Sequence, residues 1–89
     1  MDLDSPLQLH PQVALRPESF GALAYHYGTR RLVFLKDRQL VRVVESLASH
    51  ASLDTAFDAC GVPERRRPAF EHAIAGLIES EMVRERADI

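Results

Sequence analysis

The chain has 89 residues, a formal net charge of -2 at pH 7 and a single cysteine. A domain of this size buries only about 60 to 65% of the surface its unfolded chain exposes, so it has one thin core and no room for a deep catalytic cleft. The charge balance argues against a protein built to neutralise phosphates, the lone Cys60 excludes an intrachain disulfide framework and fits a reducing cytoplasm, and no apolar run approaches the ~20 residues a membrane span requires.

The N-terminal MDLDSPLQLHPQ carries acids where a signal peptide would carry basic residues, which predicts a soluble, cytoplasmic protein. Residues 1–11 hold two prolines and no clear period, and read as a flexible arm that stays extended or frayed until something holds it. Gln12 to Arg16 is a short strand punctuated by Pro11 and Pro17. Phe20 to Tyr27 and Arg30 to Leu35 form a hairpin around Gly28-Thr29, read as a two-residue II′ turn with glycine supplying the positive φ. That turn sets Tyr25 opposite Leu32 and Leu23 opposite Phe34. The large apolar groups then share one surface, expected to face the core. Ala22, Ala24, His26, Arg31 and Val33 share the other, because the reverse choice would bury His26 and Arg31.

From Lys36 the period becomes helical. Leu40, Val43, Val44 and Leu47 recur at i, i+3, i+4 and i+7 behind an Asp37 cap. Ser52 caps a second, short helix with an apolar stripe of Leu53, Ala56, Phe57 and Cys60, stopped by Gly61. Val62 to Arg67 is a loop or irregular turn. The third helix starts at Pro68, runs to about Glu81 and buries Phe70, Ala73, Ile74, Leu77 and Ile78. Met82 to Ile89 reads as a charged tail with little reason to fold alone. The folded unit is placed at residues 12–83, with residues 84–89 as tail.

Three antiparallel strands followed by three helices is an α+β arrangement with the helices on one face of the sheet, a topology also compatible with a winged helix-turn-helix. The meander order leaves Arg30 to Leu35 at an edge, apolar from Leu32 to Leu35 and without a lysine, proline or bulge there to discourage pairing. Such an edge invites a strand from another chain.

Catalytic chemistry finds no foothold. His10, His26, His50 and His72 share no metal-ligand spacing, Cys60 lies on an apolar stripe, and no glycine-rich phosphate loop appears, so neither metal nor cofactor is expected. Arginine clusters at Arg30-Arg31 and at Arg65-Arg66-Arg67. These are either solvated loops or contacts for acidic residues of a partner. On a winged-helix topology they could instead touch nucleic-acid phosphates, a reading weakened by residues 12–83 carrying as many acidic as basic side chains. A homodimer paired edge to edge is a further possibility.

The stretch RPESFGALAYHYGTRRLVFLK, followed by LVRVVESLASH, a short helix and a Pro-led final helix ending in EMV, resembles the mycofactocin biosynthesis peptide chaperones. These belong with the PqqD-like peptide-binding domains known as RiPP recognition elements. The resemblance runs from about His10 to Val83 and is most specific in FGALAYHYGTRR. Lys36-Asp37 departs from the asparagine frequent at that turn in relatives. What the resemblance implies is a non-catalytic adaptor that binds the leader of a ribosomally made precursor peptide and presents it to a radical S-adenosylmethionine maturase. In such domains the leader adds a strand antiparallel to the third strand and drops side chains against the third helix. Carried onto this chain, the strand is Arg31, Leu32, Val33, Phe34 and Leu35, with Val33 expected to donate one rung. The facing helix surface is Arg66, Phe70, Ala73, Ile74 and Leu77.

Overall fold

A computed structural model describes residues 5–86. In chain order it contains β1 (Leu7–Leu9), β2 (Val13–Glu18), β3 (Gly21–His26), β4 (Leu32–Leu35), α1 (Arg38–Ser46), α2 (Leu53–Cys60), α3 (Arg67–Glu79) and β5 (Val83–Glu85). One-turn 3-10 segments at Leu47–Ser49 and Glu64–Arg66 follow α1 and lead into α3. The α+β class, the antiparallel β2-β3-β4 meander and the three helices match the sequence reading.

Asp37 sits in extended backbone and its carboxylate accepts from the N–H of Gln39 and Leu40, so α1 starts where the sequence places its cap. Ser52 accepts from the Thr55 N–H in the same way and Gly61 closes α2. The irregular turn before the last helix is the 3-10 segment, and α3 begins one residue before Pro68 and ends at Glu79.

The hairpin register is the one the alternation gives, with Tyr25 opposite Leu32, Leu23 opposite Phe34 and Ala22 opposite Leu35. The turn differs. Arg30 N–H donates to the His26 carbonyl at 2.7 Å and His26 N–H to the Arg31 carbonyl at 3.0 Å, so the loop holds four residues, Tyr27 to Arg30. The left-handed residue is Arg30, at φ 62, not Gly28. His26 explains why: its Nδ1 accepts from the N–H of Gly28 at 3.0 Å and of Thr29 at 3.1 Å, folding the loop around the imidazole. Glycine suits position 28 because a Cβ there would stand 3.0 Å from His26 Cε1 and push the Gln12 side chain aside.

The faces of the hairpin are inverted relative to the sequence expectation. Ala22, Ala24, His26 and Leu35 are buried, whereas Tyr27, Leu32 and Phe34 are 64%, 53% and 55% exposed. A period of two says which residues share a face but not which face is inside, and residue size is a poor arbiter in a thin domain. The helices bring their own bulk: Val43, Val44 and Leu47 of α1, Phe57 of α2, and Ile74 and Leu77 of α3 fill the core. The sheet contributes a floor of alanines on which they pack. The penalty expected for His26 is relieved in part, at Nδ1, by the two backbone N–H groups it accepts from.

The arm and the tail are also corrected. Leu7–Leu9 is held by antiparallel pairing with Val83–Glu85, forming a second, two-stranded sheet. Leu7, Met82 and Val83 are all buried in the core. Neither segment has an amphipathic run long enough to show a period, so the signal for these strands lies in their mutual pairing rather than in either stretch. Residues 1–4 and 87–89, parts of the expected arm and tail, lie outside the described residues.

Because Met82 is fully buried, Met82→Ala is expected to cost about 2 to 5 kcal/mol in urea unfolding. A residue in a solvated tail would stay within about 0.5 kcal/mol of wild type.

Candidate functional site

β4 is the end strand of its sheet, hydrogen-bonded to β3 on one side only. The bond from His26 N–H to the Arg31 carbonyl fixes the phase of the ladder. Antiparallel pairs alternate between bonded and non-bonded, so Val33 and Leu35 turn their backbone groups toward β3 while Leu32 and Phe34 turn theirs away. The unpaired donors and acceptors of the edge are therefore those of Leu32 and Phe34. Val33, expected to donate a rung to a guest, spends its N–H inside the sheet.

Side chains alternate along the same strand. Leu35 is buried and Val33 half-buried against the core, while Leu32 and Phe34 project onto the opposite, helix-free face. Phe70, Ile74 and Leu77 share one core cluster with Leu35, and Ala73 and Val33 pack against it. These residues of β4 and α3 therefore belong to one core. Leu32 and Phe34 are placed on another surface, and exposed Arg31 just precedes the strand. Since Leu35, Phe70, Ile74 and Leu77 are already buried, Val33 and Ala73 are the apolar members of this set that stay partly accessible.

Two contacts place the ends of α3. At its start, the Arg66 guanidinium bonds the Asp37 carboxylate and, at 2.6 Å, Gln39 Oε1, and lies 4.8 Å from the centre of the Phe70 ring. At its other end Ile78 shares a cavity of about 550 Å³ with Gly28 and Thr29 of the hairpin loop. The helix thus runs opposite to β4, with Arg66 at the Leu35 end of the strand. Arg67 is engaged as well, through Asp58 at 2.7 Å and the Val62 carbonyl at 3.1 Å. Two of the three clustered arginines therefore already have acidic partners within the chain.

The electrostatics of the Asp37 corner follow. Burial pushes its carboxyl upward, but the Leu40 and Gln39 N–H groups and the Arg66 guanidinium outweigh that effect and hold its pKa below the ordinary value of 3.8. The stabilisation is present above that value and drains away as pH falls through the lower folded pKa.

The cavity at the hairpin end also joins two histidines that the sequence places in unrelated segments. The rings of His10 and His26 lie 4.4 Å apart. His10 Nδ1 accepts from the Gln12 N–H at 3.1 Å, as His26 Nδ1 accepts from its loop, so in each ring the neutral tautomer carries its proton on Nε2. The pair presents donors rather than metal-binding lone pairs, and no group of three potential metal ligands occurs among the described residues. Desolvation, then the charges of His26 and Arg84, lower the His10 pKa against an opposing pull from Glu81, favouring the neutral ring. His26 Nε2 is buried and has no partner among the described residues.

An open sheet edge whose unpaired groups belong to the backbone is the form that a strand-accepting binding surface takes. The peptide chaperone MftB family matches residues 6–84. Relatives named Peptide chaperone MftB are 49% identical over 82 residues in Mycolicibacterium smegmatis, covering 92% of this chain and 80% of that protein. Those of Mycobacterium ulcerans and Mycobacterium tuberculosis are 48% and 45% identical over the same length, covering 92% of this chain and 75% of each relative. No solved structure matches the chain. The chain belongs to the peptide chaperone MftB family, the group its hairpin sequence resembles. A chaperone's role is not catalytic, and the protein is not an enzyme. No helix among the described residues is long and apolar enough to cross a membrane.

Asp37→Ala, which removes both the cap and the Arg66 contact, is expected to cost about 1 to 2 kcal/mol at pH 7. Asp37→Asn keeps the capping oxygen and loses the charge and the oxygen that accepts from Arg66. Its melting temperature should therefore lie below wild type at neutral pH and converge with it as the pH is taken below 3.8, followed by circular dichroism.

Proposed function

We propose that the protein binds the leader of a ribosomally made precursor peptide by taking it up as a further strand, antiparallel to β4, and presents it to a radical S-adenosylmethionine maturase in mycofactocin biosynthesis. The unpaired edge of β4 carries this reading, because Leu32 and Phe34 aim two N–H and two C=O groups at nothing within the described chain. A guest strand would pair with these groups and set alternate side chains against Val33 and Ala73. Family membership supports a peptide as the guest.

The energetics suit a reversible carrier. About four rungs at roughly 1 kcal/mol each, with one or two apolar anchors at about 1.5 to 3 kcal/mol, must exceed the cost of ordering a flexible peptide. The gross gain of about 5.5 to 10 kcal/mol, less that cost, places the dissociation constant at about micromolar or weaker. Exposed Arg30, Arg31 and Arg65 would favour an acidic leader chiefly through the association rate.

Titration with isotope-labelled protein should shift the amides of Arg31 to Leu35 and of the α3 flank first; shifts confined to α2 would refute the site. N-methylation of the Leu32 amide by semisynthesis removes one outward donor and should weaken the leader about fivefold, the equivalent of one rung of about 1 kcal/mol. Ala73→Glu, which puts a carboxylate where the guest's side chains would rest, should weaken it at least about tenfold with the fold retained. Isothermal titration reads both, and unchanged affinity in both would reject the register.

A further inference from the structure

The face of the sheet turned away from the helices carries six large apolar side chains. Leu23 and Tyr25 of the central strand are flanked by Leu32 and Phe34 of β4, with Phe20 and Tyr27 just beyond the two ends of β3. Phe20, Tyr27, Leu32 and Phe34 are 39%, 64%, 53% and 55% exposed. They are not scattered: the Phe20 and Phe34 rings meet edge to face at 5.9 Å, and the Tyr25 and Tyr27 rings lie 5.0 Å apart. A contiguous aromatic patch on an 89-residue chain marks a surface that another molecule covers.

Its rim says what kind. Arg16 stands opposite Leu23 on β2, Lys36 lines a hollow with Phe20 and Phe34, and Arg38 reaches the Ser19 carbonyl at 3.0 Å beside Phe20. Among the described residues the carboxylate on this margin is Glu18, bound to Arg16 at 3.0 Å, while Asp37, between Lys36 and Arg38, is engaged by Arg66. Three cations against one acid make the frame positive. A second copy placed face to face would set cation against cation, whereas a protein surface with apolar side chains framed by Asp and Glu would complement both centre and rim.

We propose that this helix-free face is the docking surface for a folded partner with an acidic-rimmed apolar patch. On the function proposed above, on which this inference rests, that partner is the maturase. A peptide added beside β4 would continue the same sheet, so its outward side chains would extend the patch. The partner would then meet chaperone and peptide as one surface, and loading would raise its affinity for the chaperone.

The test separates the two sites. Leu23→Thr combined with Tyr25→Thr alters the central strand, which an added strand does not touch, and Lys36→Glu reverses a rim charge without removing apolar contacts. With purified maturase and leader peptide, both variants should bind leader within about twofold of wild type and bind maturase at least about tenfold more weakly, the Lys36→Glu deficit shrinking with added salt. The Lys36→Glu result stands even if the double variant unfolds. Wild-type maturase affinity in the folded variants overturns this inference alone. Loss of leader affinity in Lys36→Glu or in a folded double variant makes the face a peptide site, and a wild-type dimer that Lys36→Glu dissociates makes it a self-association surface; either overturns it. A wild type that holds leader but ignores the maturase overturns the delivery function and this inference with it.

Discussion

The constraint behind the rest of this structure is that its sheet is covered on one face only. With a chain this short, three helices and one small sheet make two layers, and every strand of β2-β3-β4 has one face inside and one outside. The inner layer must be shallow, because the helices already supply leucine, valine, isoleucine and phenylalanine to fill it. Ala22 and Ala24 let the helices come close, and Leu35 closes one end. The larger residues are thereby displaced outward. The aromatic outer face follows from this allocation, and the open edge of β4 from the meander order.

His26 shows how the allocation is made tolerable. A buried imidazole without partners would cost several kcal/mol, but the loop after β3 turns its own N–H groups onto Nδ1. One side chain thus helps to determine the loop length, the location of the left-handed residue and the space allowed at Gly28. The two-residue turn inferred from Gly-Thr fails because it counts the backbone alone. The pairing survives because four- and two-residue loops keep the same strand residues opposed.

What could be read from the residues divides along physical lines. Local signals held: the Asp37 and Ser52 caps, the stripes of α1 and α2, and the hairpin register are each encoded within a few residues of where they act. The orientation of the hairpin was not legible, since it depends on which face the helices choose. Nor was the pairing of β1 with β5, which depends on segments from opposite ends of the chain. Of the site, the edge position of β4 and the apolar flank of α3 were visible in order and period. The phase of the edge was not, and it moves the outward rungs from Val33 to Leu32 and Phe34. Arg66 and Arg67 read as free charge in a run of three, yet Asp37 and Asp58, distant in sequence, lie beside them.

The union of β1 with β5 also orders events during synthesis. Leu7 must wait for a companion almost a whole chain away, since its register partner is Glu85. Until residues 82–85 have been made, Leu7 has no ladder to join and the hydrophobic interior lacks Met82 and Val83. Local helices and the hairpin can assemble early, whereas closing so wide a loop is entropically slow and comes late. Completion of this domain thus waits for the β5 stretch to be made.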